Sequence, residues 1–303
     1  MEITTQSLTS AKRGLQKIFD NAYQGIAEMW WKQLALSTTS NGSDEEYHWL
    51  GAVPGLKELI GEVQIANLIR HGFTIKNKEW ADTIGIKRKD LERDRLAIYT
   101  AFVQAMAEAA AYQPGELVAK LLVDGFTETD YTGTAFFSTG KKAHAKANAF
   151  DTIVDNKKLS QANFRAARKL LIGRLNAEGR AMRLGKDVVL VVSPTYQSTA
   201  LEITTAEKLG NNTNVDRGTA RTLVLPELLA LSAEHHWFLL EAGGAMKPFI
   251  VQKETEPQQA MVTDPNDSHV VKHQEFIYQV YCRHNAGYGL PELAVGSTGA
   301  NAA

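Results

Sequence analysis

Residues 71–95 constrain this chain more than any other stretch, because they carry strand patterning without enough apolar surface to bury it. Phe73 and Ile75 begin with alternate residues turned inward, and Ile84 and Ile86 mark a second strand-like run. Between them stand Lys76-Asn77-Lys78-Glu79-Trp80, and eight of the ten residues from Ile86 to Arg95 are charged. The expected shape is a long hairpin, apolar near its base and mixed in charge elsewhere. An isolated two-stranded hairpin is marginal in water, and an edge bearing Lys and Glu resists random pairing. Such an arm needs a partner to be ordered. Without one it is a solvated, flexible loop.

The residues before this arm supply no long apolar stripe. Leu15, Ile18, Phe19, Ala22 and Ile26 recur at helical spacing, and Trp30 and Trp31 follow. Ser37 to Glu46 reads as a loop, and Val53-Pro54-Gly55 as a turn leading into Leu56 to Ile69. This region is expected to lie across something else. After the arm a helix begins at Asp94, with Leu96, Tyr99, Val103, Met106 and Ala110 on one face. Pro114 is expected to break or kink it and to open a second helix through Leu122, ended by Gly125.

The second half alternates element types. Ser160 can cap a helix carrying Phe164, Ala167, Leu171 and Leu175, stopped at Gly179. Val188 to Val192, Arg221 to Leu225, Trp237 to Leu240 and Pro248 to Gln252 read as strands, and a helix begins at Thr195. Phe276 to His284 alternates as a long strand that Asn285-Ala286-Gly287 ends, and the tail from Gly296 is expected to fray.

Composition removes several classes. At 303 residues the chain has room for two domains or one elaborate one. The longest apolar run, Val188 to Val192, is five residues, against about 20 for a bilayer span. Met1 to Gln6 shows no basic region followed by an apolar one, so no signal peptide is expected. Cys282 is the only cysteine, which excludes an internal disulfide framework or a cysteine zinc cage and suits a reducing cytoplasm. A net charge of −1 is the wrong balance for a domain whose whole surface holds nucleic acid. The balance is uneven, however. Residues 140–186 hold twelve Lys/Arg against three acids, and residues 28–62 hold six acids against two Lys. Opposite patches can steer copies of one chain together, or they can be two ordinary solvated faces. For the basic segment, contact between subunits is favoured over nucleic acid, because no aromatic stacking pattern accompanies the charges.

Catalytic motifs do not emerge. Gly133 and Gly140 precede Lys141-Lys142 at the wrong spacing for a phosphate loop, and Gly287-Tyr288-Gly289 reads as a turn. His235-His236 and His269/His273 lack the glutamate of a zinc-protease motif. His269 follows a turn and precedes a strand, which argues against helical geometry for that pair. No GxSxG surrounds any serine, and Cys282 reads as a small buried strand residue. No catalytic residue, metal ligand or cofactor is assigned.

Several segments together resemble the Mu-like phage major head subunit family. They are Tyr47-His48-Trp49-Leu50-Gly51 with Pro54, Phe73-Thr74-Ile75-Lys76-Asn77-Lys78, Leu91-Glu92-Arg93-Asp94 and Pro114-Gly115-Glu116-Leu117-Val118. Tyr131-Thr132-Gly133 with Phe136-Phe137 and Arg283-His284-Asn285-Ala286-Gly287-Tyr288-Gly289-Leu290 complete the set. They run in order along nearly the whole chain. The family tends to have Asp after that tyrosine and His-Pro soon after the paired phenylalanines. Here Thr132 and Ser138-Thr139-Gly140-Lys141-Lys142 stand instead.

The resemblance implies an α+β chain with the Hong Kong 97-type phage capsid fold. Residues 1–69 then correspond to an N-terminal arm and 70–95 to an extended hairpin loop lying on the next subunit. Residues 96–150 and 263–303 correspond to a peripheral domain with a long spine helix, and 151–262 to an axial domain. The implied function is structural: hexamers and pentamers of an icosahedral head around double-stranded DNA, in a virion assembled in the bacterial host cytoplasm. Implied partners are the chain itself, neighbouring capsomers, and scaffolding, portal and decoration proteins. Packaged DNA would be touched weakly and non-specifically, and no membrane is involved. Contacts with an adjacent chain are expected from Lys76, Lys78, Glu79, Trp80, Arg88, Asp90 and Arg93. The alternatives are an encapsulin-like compartment on the same fold and a soluble α/β enzyme.

Overall fold

The computed structural model describes residues 3–26, 29–47, 73–93, 95–142, 148–176 and 179–299. The turn expected at Val53-Pro54-Gly55, the segment Leu56 to Ile69, the helix start at Asp94 and residues 300–303 lie outside the described residues. In chain order the first elements are α1 (Thr5–Gly25), α2 (Trp31–Leu34), β1 (Ala35–Thr39), β2 (Asp44–Glu46), β3 (Thr74–Lys76), β4 (Lys78–Lys87), α3 (Arg88–Glu92) and α4 (Ala97–Asp124). Then come α5 (Gln161–Ile172), β5 (Val188–Val192), α6 (Gln197–Thr205), β6 (Lys208–Leu209), β7 (Asn212–Thr213), β8 (Arg221–Val224), α7 (Glu227–Ala230) and β9 (Trp237–Glu241). The last are β10 (Phe249–Met261), α8 (Ser268–His273), β11 (Glu275–Tyr288) and β12 (Ala294–Ser297).

Two four-stranded sheets carry the fold, ordered β1-β10-β11-β4 and β12-β9-β5-β8. β5 is apolar throughout because both of its faces are covered. Val189 and Val191 join a core with β10, β11 and the second half of α4. Val188, Leu190 and Val192 face α5 and α6. β11 alternates as expected, burying Phe276, Tyr278, Val280, Cys282 and His284 in turn. Against this face pack Leu8, Leu15 and Phe19 of α1 with Val103 and Met106 of α4. The N-terminal helix therefore lies across another element, as its narrow apolar stripe requires.

The structure corrects several expectations. Pro114 does not end a helix: α4 runs unbroken for 28 residues, about 42 Å. An interior proline costs about 3 kcal/mol. Burial of Val118, Ala119 and Leu122 beyond it, at about 1.5–3 kcal/mol for a large apolar side chain, offsets that cost. Leu175 is not on the α5 face but 44% exposed. The chain leaves the helix at Gly173 so that Arg174 can reach the carbonyls of Asp151, Pro291 and Ala294.

Ser37 to Glu46 is not all loop. β1 runs parallel to β10, and β2 pairs with β3. Nor is Gly287 in a turn: β10 and β11 pair beyond their expected ends, and a Cβ at Gly287 would meet Ile75 Cδ1 at 2.5 Å. The tail does not fray at Gly296. Ala294–Ser297 pairs with β9 and is buried, and the missing Cβ of Gly296 makes room for the Phe137 ring.

Candidate assembly interface

The hairpin expected over 70–95 finds its partners in its own chain. β3 pairs with β2, whereas β4 pairs antiparallel with β11 from Glu275↔Lys87 to His284↔Lys78. The reason is apolar: Ile86 and Leu91 are fully buried in the core beneath Phe276. β4 nonetheless closes the sheet on one side, and no strand covers its other edge among the described residues. Only Ile86 of its ten residues is buried. Lys78, Glu79, Asp82 and Lys87 along this edge disfavour random pairing with other strands.

The seven residues expected to touch a neighbour divide into two groups. Lys76, Lys78, Glu79 and Arg93 are exposed. Across the strand pairs Lys76 is opposite Asp44, and Glu79 is opposite Arg283. Trp80, Arg88 and Asp90 engage their own chain instead. The Trp80 indole donates to the His284 carbonyl at 3.0 Å and stacks on that imidazole. Arg88 pairs with Glu92 at 3.2 Å one helical turn away. Asp90 accepts from the Tyr99 hydroxyl at 2.9 Å, and that hydroxyl accepts from the Lys87 N–H at 3.1 Å. Burial, with Asp90 adding to it, raises the Tyr99 pKa and keeps the phenol neutral. Trp80 and Asp90 tie the arm to the chain near its two ends, Arg88 pairs only within α3, and the charged edge stays open among the described residues.

The basic segment is thinner than its composition suggested. Lys141 and Arg174 are buried. From α5, Arg165 donates to Asp216 at 2.8 Å and Gln161 does so at 2.7 Å. Arg168 and Lys169 remain beside a pocket of about 370 Å³.

Sequence reasoning missed the outer face of α4. Ile98, Phe102 and Tyr112 are 52%, 57% and 47% exposed. The signal was present in the spacing, since Ile98, Phe102, Ala105, Ala109 and Tyr112 share one helical face. The histidine pair also differs from expectation: His269 and His273 stand one helical turn apart on α8, with rings 4.6 Å apart. Among the described residues no group of three His, Cys, Asp or Glu side chains is placed to hold a metal ion.

Comparison with known proteins gives this geometry a setting. Residues 8–158 and 229–302 match the family model described as Mu-like prophage major head subunit gpT. The major capsid protein of Escherichia phage Mu is 28% identical over 299 residues, covering 99% of this chain and 76% of that protein. The Mu-like prophage FluMu major head subunit of Haemophilus influenzae is 27% identical, covering 86% of this chain and 64% of that one. Among solved structures, the procapsid of bacteriophage JBD30 superposes with a TM-score of 0.61 at 25% identity, covering 97% of this chain and 76% of that one.

Proposed function

The chain belongs to the Mu-like prophage major head subunit family, and from that premise we infer that it builds an icosahedral head from hexamers and pentamers of itself. It is a capsid subunit with the Hong Kong 97-type fold, not an enzyme. The observation that carries the finer reading is the likeness to a procapsid subunit along 97% of the chain. We read residues 1–69 as an N-terminal arm and 70–95 as an extended loop. Residues 96–150 with 263–303 form the peripheral domain, whose spine is α4, and 151–262 form the axial domain.

In this reading the open edge of β4 meets the next subunit. Lys78 and Glu79 supply charges on that edge, Lys76, Arg88 and Arg93 supply charges beside it, and Trp80 and Asp90 hold it in place. Each exposed ion pair contributes about 0–1 kcal/mol, so single contacts form and break while a closed shell collects many of them. The remaining partners are scaffolding, portal and decoration proteins, with packaged double-stranded DNA inside. A net charge of −1 keeps the shell from binding that DNA tightly. Assembly takes place in the host cytoplasm.

Light scattering with negative-stain imaging of the purified chain tests the reading. Closed shells or capsomer rings are expected. Deleting residues 74–90 would also remove the buried Ile75 and Ile86, so the informative variant is Lys78→Glu. Lys78 is exposed and stands opposite His284 rather than a charged partner, so the variant should unfold like the parent yet form fewer particles. Unchanged particle yield would remove the β4 edge from the assembly mechanism.

A further inference from the structure

We propose that Lys141 and Asp130 join through an amide bond formed within this chain, locking the loop that follows α4. Lys141 Nζ lies 2.8 Å from Asp130 Oδ2, and neither side chain reaches solvent. Asp130 Oδ2 is in ion-pair contact with that nitrogen and has no other polar partner among the described residues. Oδ1 accepts two, from the Thr132 N–H at 2.8 Å and the Thr132 hydroxyl at 2.5 Å. Nζ donates to the Ala135 carbonyl at 2.7 Å and to Thr134 Oγ1 at 3.0 Å.

These are the parts an acyl substitution requires. The carboxyl oxygen that keeps its bond to carbon is polarised by two donors, as in an oxyanion hole. The nitrogen donates to two neutral acceptors, which a neutral amine can still satisfy, and Asp130 Oδ2 is its third polar neighbour. Reacting groups held in contact in a dry site need no diffusional encounter.

A neighbouring acid completes the set. Glu292 is 4% exposed, and its Oε1 accepts from the Tyr131 hydroxyl at 2.8 Å. Its Oε2 is buried with no hydrogen-bond partner. Burial raises the Glu292 pKa and lowers that of Lys141, which favours the uncharged form of each. Glu292 is also close enough to couple electrostatically with both Lys141 and Asp130.

The step balances without a co-reactant. The ammonium passes one proton to the Asp130 carboxylate, which leaves an amine facing a carboxylic acid. The Nζ lone pair attacks Cγ and forms the N–C bond. The Cγ–Oδ2 bond then breaks. Glu292 carries one proton from the nitrogen to the departing oxygen, which leaves as water, and the amide keeps a single N–H for the Ala135 carbonyl.

Mass spectrometry of the purified, denatured chain tests this directly. The expected mass is one water below the sequence value, with a branched peptide joining Asp130 to Lys141 after digestion. Asp130→Asn should lose one ammonia in place of the water, because the leaving group changes. Glu292→Gln should lower the modified fraction, and an unchanged fraction would overturn the role given to Glu292. A full sequence mass for the folded wild-type chain, or a loss located elsewhere, would overturn the bond. A pair acting only as a buried ionic tie gives that full mass.

Discussion

At the scale of single residues, close approach explains more than chemistry does. Gly296 lies in a buried strand, and a Cβ there would meet Phe137 Cδ1 at 2.9 Å. Phe137 cannot yield easily, because it packs against Phe126, Phe136 and Phe238. Gly296→Ala should therefore destabilise the unassembled chain by about 1–3 kcal/mol, read as a lower urea midpoint at constant slope. His284 sets a pH dependence. Burial, with the charge of Lys253 adding to it, pushes its pKa from 6.5 down to about 4. The folded ring stays neutral while the unfolded ring binds a proton. Its stabilisation is thus complete above pH 6.5 and is lost as pH falls toward 4, with a steepest slope of about 1.4 kcal/mol per pH unit. His284→Gln should flatten stability against pH in that window, and an unaltered slope would assign the dependence to other groups.

At the scale of elements, α4 has two apolar faces, and among the described residues only one is buried within the subunit. Its inner face was legible: Val103 and Met106 are buried where the spacing put them. The outer face exposes Ile98, Phe102 and Tyr112, a stripe of the kind that marks interaction surfaces. Ile98→Ser with Phe102→Ser should leave the unassembled chain within about 0.5 kcal/mol of the parent while reducing particle yield. A loss of stability comparable to a core substitution would show that this face packs within the subunit. The arm teaches the converse lesson. Its charge pattern announced an under-packed strand, but nothing in 71–95 told that the partner is β11, nearly two hundred residues away in sequence.

At the scale of the whole molecule, the two sheets meet over a core that no single segment announces. Phe136 and Phe137 stand between α4 and both sheets. Lys141 counted toward a surface charge patch by composition, yet it is fully buried against Asp130. Local pattern was sufficient for β5, for the alternation of β11, for the Ser160 cap of α5 and for the exposed Lys78 and Glu79. In each of these, burial period or side-chain capping acts within a few residues of the chain. The continuity of α4 through Pro114, the pairing of β4 and the order in the strand around Gly296 were settled only by the folded structure. Each depends on apolar surface supplied from far along the chain, and that surface outweighs the local preference for a break, a free hairpin or a frayed end.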